Sequence, residues 1–86
     1  MGSYSIRFLR SAEKDLRRIQ KSRIPTILET IEALEENPRP VGCRKLVGSE
    51  SAYRIRVGDY RVVYTIEDTI RIVEIDRIRH RKDVYR

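Results

Sequence analysis

Ala52-Tyr53-Arg54-Ile55-Arg56-Val57-Gly58-Asp59-Tyr60-Arg61-Val62-Val63-Tyr64 is the stretch that decides the fold. Apolar and basic residues alternate up to Val57, the Gly58-Asp59 pair interrupts them, and a β-branched and aromatic run follows. That pattern predicts a β-hairpin with a two-residue turn. Side chains two apart on a strand share a face, so Ile55 and Val57 point one way and Arg54 and Arg56 the other. One face of the hairpin enters a core. The other carries guanidinium groups, whose planar fork suits bidentate contact with phosphate.

Working outward, Tyr4 to Leu9 alternates and predicts a short strand. Ser11 is a candidate N-cap for a first helix that places Ala12, Leu16 and Ile19 on one side and ends near Lys21. Ser22 is positioned to cap a second helix, with Pro25 tolerated in its first turn. Ile24, Ile27, Leu28, Ile31 and Leu34 form its apolar stripe, and Asn37-Pro38 ends it. The two helices make a hairpin able to lie across a sheet. Residues 37–51 hold Pro38, Pro40, Gly42 and Gly48 and read as a connector. Arg39 reads there as solvated, whereas Arg44 and Lys45 are candidates for touching a ligand. After the central hairpin, Glu67-Asp68-Thr69 predicts a second turn. A strand then runs from Ile70 to about Ile78, and a polar tail from Arg79 to Arg86 forms at most one helical turn. The expected architecture is α+β, ordered β-α-α-β-β-β with a short terminal helix: an antiparallel sheet with a helical hairpin packed on one face. No repeat or boundary divides residues 1–86, which read as a single domain.

Composition narrows the partners. At 86 residues with 40 % hydrophobic and 37 % charged side chains, the chain has little apolar material for a core, and modest stability is expected. Nineteen Lys and Arg against 13 Asp and Glu give a formal charge of +6, which favours an anionic partner. Nucleic acid ranks first, acidic protein second and a membrane surface third. Acids concentrate in the second helical segment (Glu29, Glu32, Glu35, Glu36), while arginines mark the strands and the C-terminus. A single cysteine, Cys43, forms no internal disulfide, which suits a reducing cytoplasm. No apolar run approaches the roughly 20 residues of a membrane span. One histidine and one cysteine supply no metal cluster, and Glu74 with Asp76 reads as a pair for cross-strand salt bridges rather than a metal site.

Three segments together carry a resemblance: Lys45-Leu46-Val47-Gly48, the central Tyr53-to-Tyr64 hairpin, and Arg79-His80-Arg81-Lys82-Asp83-Val84-Tyr85. In this order, behind a helical hairpin, they closely resemble the RelE toxins of the RelE/ParE toxin–antitoxin superfamily. The resemblance implies a metal-free, cofactor-free endoribonuclease that cuts mRNA in the ribosomal A site, against 16S rRNA, leaving a 2′,3′-cyclic phosphate and a 5′-hydroxyl. It also implies a RelB-like antitoxin and an oligomeric toxin–antitoxin complex. Arg54 and Arg56 match the basic strand positions that grip the substrate, with Arg44 and Lys45 as further RNA contacts. Arg61 matches the arginine at the scissile phosphate, and Tyr85 the C-terminal tyrosine. A second catalytic arginine falls at Arg79 or Arg81; Arg79 is preferred for phosphate and Arg81 for substrate contact. Arginine stands on the strand where well-known members have lysine, which leaves the general base open.

The chemistry narrows that question to two residues. Attack of a 2′-hydroxyl on its own phosphate needs a base, stabilisation of the phosphorane and a proton for the departing 5′-oxygen. Arginine keeps its charge at any working pH, so Arg61 is a clamp and a poor base. Tyr85 begins near a pKa of roughly 10, which neighbouring guanidiniums would lower. Histidine is the side chain suited to proton transfer near neutral pH, which makes His80 the other candidate, although a lone histidine in a basic tail is more often a solvated surface group. Tyr60 and Tyr64 read as packing residues. Two other classes compete: a ParE-like inhibitor of DNA gyrase, a branch that generally lacks the arginine set and terminal tyrosine, and a basic nucleic-acid-binding module without catalysis.

Overall fold

The computed structural model describes residues 3–84. Five strands, β1 (Ser5–Phe8), β2 (Arg44–Lys45), β3 (Ala52–Val57), β4 (Tyr60–Glu67) and β5 (Ile72–His80), form one sheet in the order β1-β5-β4-β3-β2. The helices are α1 (Arg10–Arg18), α2 (Ile24–Ala33) and a terminal turn, α3 (Arg81–Val84). The hairpin forms as the alternation requires, with Val57 opposite Tyr60 and Gly58 at φ +59°. A positive φ at the first central residue is the Gly-X pattern of a type II′ turn, whose twist matches that of the strands.

The core lies between the helices and one face of the sheet. Ile55, Val57, Val62, Tyr64, Ile66, Val73, Ile75 and Ile78 face inward, against Ala12, Ile19, Ile27, Ile31 and Leu34. The helical stripe read from the sequence is therefore the buried one, although Ile24 and Leu28 only half enter it. Tyr64 is fully buried and donates its hydroxyl to the Pro38 carbonyl at 2.8 Å, so no polar atom is stranded there.

Several boundaries differ from the sequence reading. The sheet is mixed: β2 to β5 form an antiparallel meander, but β1 pairs parallel with β5. The helical hairpin carries the chain from the β1 edge to the opposite edge, where the meander starts and works back. Its last strand then arrives beside β1 pointing the same way. Arg44 and Lys45, read as loop, form the two-residue edge strand β2 on β3. β5 continues past Ile78 because Arg79 and His80 still pair with Arg61 and Tyr60. α1 ends at Arg18, and Lys21–Arg23 form a 3₁₀ turn that contains Ser22 and shows no side-chain cap.

Ser11 is not an N-cap. Its hydroxyl donates to the Asp76 carbonyl at 2.7 Å, and Asp15 accepts from the Ile78 N–H at 2.9 Å. Both satisfy the β5 edge where β1 has already stopped, so side chains of α1 stand in for the missing strand.

Candidate nucleic-acid interface

On the face away from the helices, Arg56, Arg61 and Arg79 sit directly opposite one another on three adjacent strands. Arg44 and Arg54 form a second opposed pair on the same face. Directly opposed side chains on neighbouring strands lie about 5 Å apart at Cβ, and like charges so placed destabilise a sheet. The arrangement therefore costs the fold stability that a bound anion would restore.

Arg44, Arg54, Arg56 and Arg61 line an open cleft of about 400 Å³, with Val41 and Gly42 as a wall and Ile55 contributing to its lining. Among the described residues, no carboxylate lines it. Arg56 is exposed and its Nε leans on the Gly58 carbonyl at 3.3 Å. Arg61 is half-buried, and its Nη1 is fully covered without a hydrogen-bond partner. A covered, unpaired guanidinium N–H is costly, and the Arg61 side chain must turn toward the cleft before this N–H can meet an anion oxygen there.

The remaining predicted residues divide. Arg79 joins the row through Arg61 and is exposed. Arg81 sits at the hairpin tip: its N–H donates to the Asp59 carbonyl at 2.7 Å, and its Nε lies 3.8 Å from the Asp59 carboxylate. His80 does not line the arginine cleft. It pairs with Tyr60 on the helix-side face, their rings meeting edge-on at 5.3 Å, and its Nδ1 accepts the Lys82 N–H. Lys45, opposite Tyr53, alternates away from Arg44. Tyr85 lies outside the described residues. Of the two acids on β5, Glu74 reaches Arg7 at 3.8 Å, whereas Asp76 accepts from Thr65 rather than from an arginine.

One group of side chains was not anticipated. Arg39 is exposed, as read from the sequence, but it is not free: it grips both oxygens of Asp68 (2.8 and 3.3 Å), donates to the Tyr53 hydroxyl at 3.1 Å and lies over that ring. Tyr4 donates to the same carboxylate at 2.6 Å. Hydrogen bonds from Arg39 and then Tyr4 hold the Asp68 carboxyl down to about 2, while the bond to Asp68 pushes the Tyr4 phenol up. The clasp ties the start of the loop bearing Val41 and Gly42 to the β4–β5 turn. Its partners are far apart in sequence, and no local pattern announces them.

This arginine-rich α+β domain matches known proteins over nearly its whole length. Residues 6–85 match the family described as the ParE toxin of the type II toxin–antitoxin system, parDE. Toxin RelG of Mycobacterium tuberculosis is 36 % identical over 96 % of this chain and 97 % of its own. The chain belongs to the RelE/ParE superfamily of type II toxins. The fold agrees with RelE structures. A chain of the archaeal RelE–RelB complex from Pyrococcus horikoshii OT3 superimposes with a TM-score of 0.81 and 28 % identity, over 92 % of this chain and 96 % of that one. Isolated RelE from E. coli gives 0.79 and 26 %, over 95 % and 90 %. Among the described residues of this RelE-type toxin, no helix is long and apolar enough to cross a membrane.

Proposed function

We propose that this toxin is a ribosome-dependent endoribonuclease that cuts mRNA in the A site. The observation that carries the reading is the open cleft lined by Arg44, Arg54, Arg56 and Arg61, with Arg79 continuing the row of arginines beside Arg61 on the next strand. In the proposed reaction the substrate's 2′-oxygen bonds to the adjacent phosphorus and the bond from phosphorus to the 5′-oxygen breaks. The proton lost by the 2′-hydroxyl is balanced by one delivered to the 5′-oxygen. The products are a 2′,3′-cyclic phosphate and a 5′-hydroxyl.

Fixed cations act here by stabilising the charge that grows on the phosphorane, which suits Arg61, held rigidly in the middle strand. Arg56 and Arg79 flank it, and Arg44 with Arg54 holds the strand further along. Proton transfer is assigned to Tyr85, because His80 packs against Tyr60 on the other face of the sheet. With no strong base among the cleft residues, the ribosome's part is to hold the 2′-oxygen in line for attack.

The RelE–RelB complex from P. horikoshii supports a RelB-like antitoxin as the physiological inhibitor, and the exposed arginine face suits an acidic chain. The second reading is a gyrase inhibitor, favoured by the ParE name of the matched family. Expression without antitoxin, followed by primer extension on cellular mRNA, separates the two. Cuts in phase with the reading frame support the nuclease. DNA breaks with intact mRNA would move the protein to the gyrase branch.

A further inference from the structure

A second cationic surface lies outside the cleft, on α1. Arg10, Lys14 and Arg18 recur every fourth residue on one exposed helix face, and with Arg77 they border a groove of about 360 Å³. Successive members stand about 6 Å apart along the axis. The acid in that groove, Asp15, is committed to Arg77 and to the Ile78 N–H. No ion pair is formed by Arg10, Lys14 or Arg18 with any described residue.

Helix physics disfavours this pattern. Like charges four apart repel, and Arg10 opens the helix at the positive end of its dipole. Arg18, in the last turn, is favoured by the dipole, but the nine-residue helix gains nothing in stability from Arg10 and Lys14. Arg18 also borders the neighbouring groove with Arg79 and His80, so the cations continue from α1 around the β5 edge to the arginine row.

We infer that the α1 ridge is a second phosphate-binding surface, which grips the sugar–phosphate backbone of a folded RNA while the cleft holds the strand to be cut. The inference rests on the proposed function and supplies the means by which the ribosome is held. Large apolar residues are exposed at Leu9, Val41, Val47 and Ile70, and none of them borders the ridge groove. A surface of rigidly spaced cations without an aromatic platform or apolar anchor suits backbone contact rather than unstacked bases or a protein hot spot.

The test uses full-length R10Q/K14Q/R18Q, since glutamine keeps helix propensity and removes the repulsion; its thermal midpoint is expected to equal or exceed wild type. Binding is measured to ribosomes programmed with mRNA bearing a 2′-deoxy A-site codon, across a salt series. The expected result is at least tenfold weaker binding and a log–log salt slope shallower by about two to three, from the loss of three phosphate contacts. In cleavage assays the half-saturating ribosome concentration rises while the saturated rate stays within about twofold. Unchanged affinity and slope would overturn the inference. So would loss of affinity for the antitoxin with ribosome binding intact, which would assign the ridge to a protein partner. Arg61→Ala keeps the outcomes separable: if that variant cleaves at the wild-type rate, the nuclease reading fails whatever the ridge does.

Discussion

Arg61 shows how a single side chain joins fold and chemistry. It stands between Arg56 and Arg79, half-buried, with one N–H covered and unpaired. Removing one preorganised donor to a developing oxyanion typically slows catalysis by about 100- to 1,000-fold. Arg61→Ala is expected to lose activity on that scale in single turnover while melting no lower than wild type, because a cross-strand repulsion goes with it. At the other face, His80→Gln should keep cleavage within a few-fold, whereas Tyr85→Phe should lose it; single-turnover rates of the two variants check the assignment of proton transfer. Tyr64 tests the core. Tyr64→Phe leaves the Pro38 carbonyl without its donor, a loss of about 1–3 kcal/mol measurable by urea unfolding at neutral pH. Burial pushes the Tyr64 phenol above its ordinary value, so its contribution is present below the unfolded pKa of about 10 and is lost as pH rises through the folded one. The deficit of the phenylalanine variant should therefore shrink above pH 10.

At the scale of elements, the hairpin was legible because period-two alternation fixes both faces at once, and Gly58-Asp59 fixes the register. The arginine cleft was legible for the same reason. The parallel seat of β1 and the two-residue β2 were not, since both depend on pairing with distant strands rather than on local propensity. The β5 irregularity opposite Val63 and Tyr64 has no sequence signature either, yet it decides which tail residues face the cleft. Adjacency of Arg79 and His80 already implied opposite faces, but only once β5 is known to reach them. The ridge on α1 stands in the sequence as a repeat of cations beside the apolar stripe, and nothing local marks it off from an ordinary solvated helix face. The Arg39–Asp68 clasp illustrates tertiary contact without local signal, and it gives a pH-dependent prediction. Asp68 titrates at about 2 in the folded protein against 3.8 ordinarily, so its stabilisation is present above the unfolded value and is lost as pH falls through the folded one. The stability difference between wild type and Asp68→Asn should be largest near pH 6 and narrow towards pH 2, followed by thermal melting across that range.

For the whole molecule, a formal charge of +6 on 86 residues is unevenly distributed: four acids on and just after α2, an arginine cleft on the open sheet face, and a cationic ridge on α1. Such a domain is drawn to polyanions at a distance and held by them on contact, and its association should slow steeply with salt. The same exposed cations make it easy to silence with an acidic chain, in keeping with a type II toxin. The central claim is that the arginine row performs RNA transfer chemistry once the ribosome supplies the substrate. The most direct measurement is single-turnover cleavage of a defined mRNA by purified protein, with ribosomes and without, with wild type and with Arg61→Ala, and with the new termini identified. The account predicts a 2′,3′-cyclic phosphate and a 5′-hydroxyl at the A-site codon, on ribosomes only, with the Arg61→Ala rate lower by about 100-fold or more. Equal cleavage of naked and ribosome-bound mRNA, or an Arg61→Ala variant that cuts at the wild-type rate while folded, would contradict it.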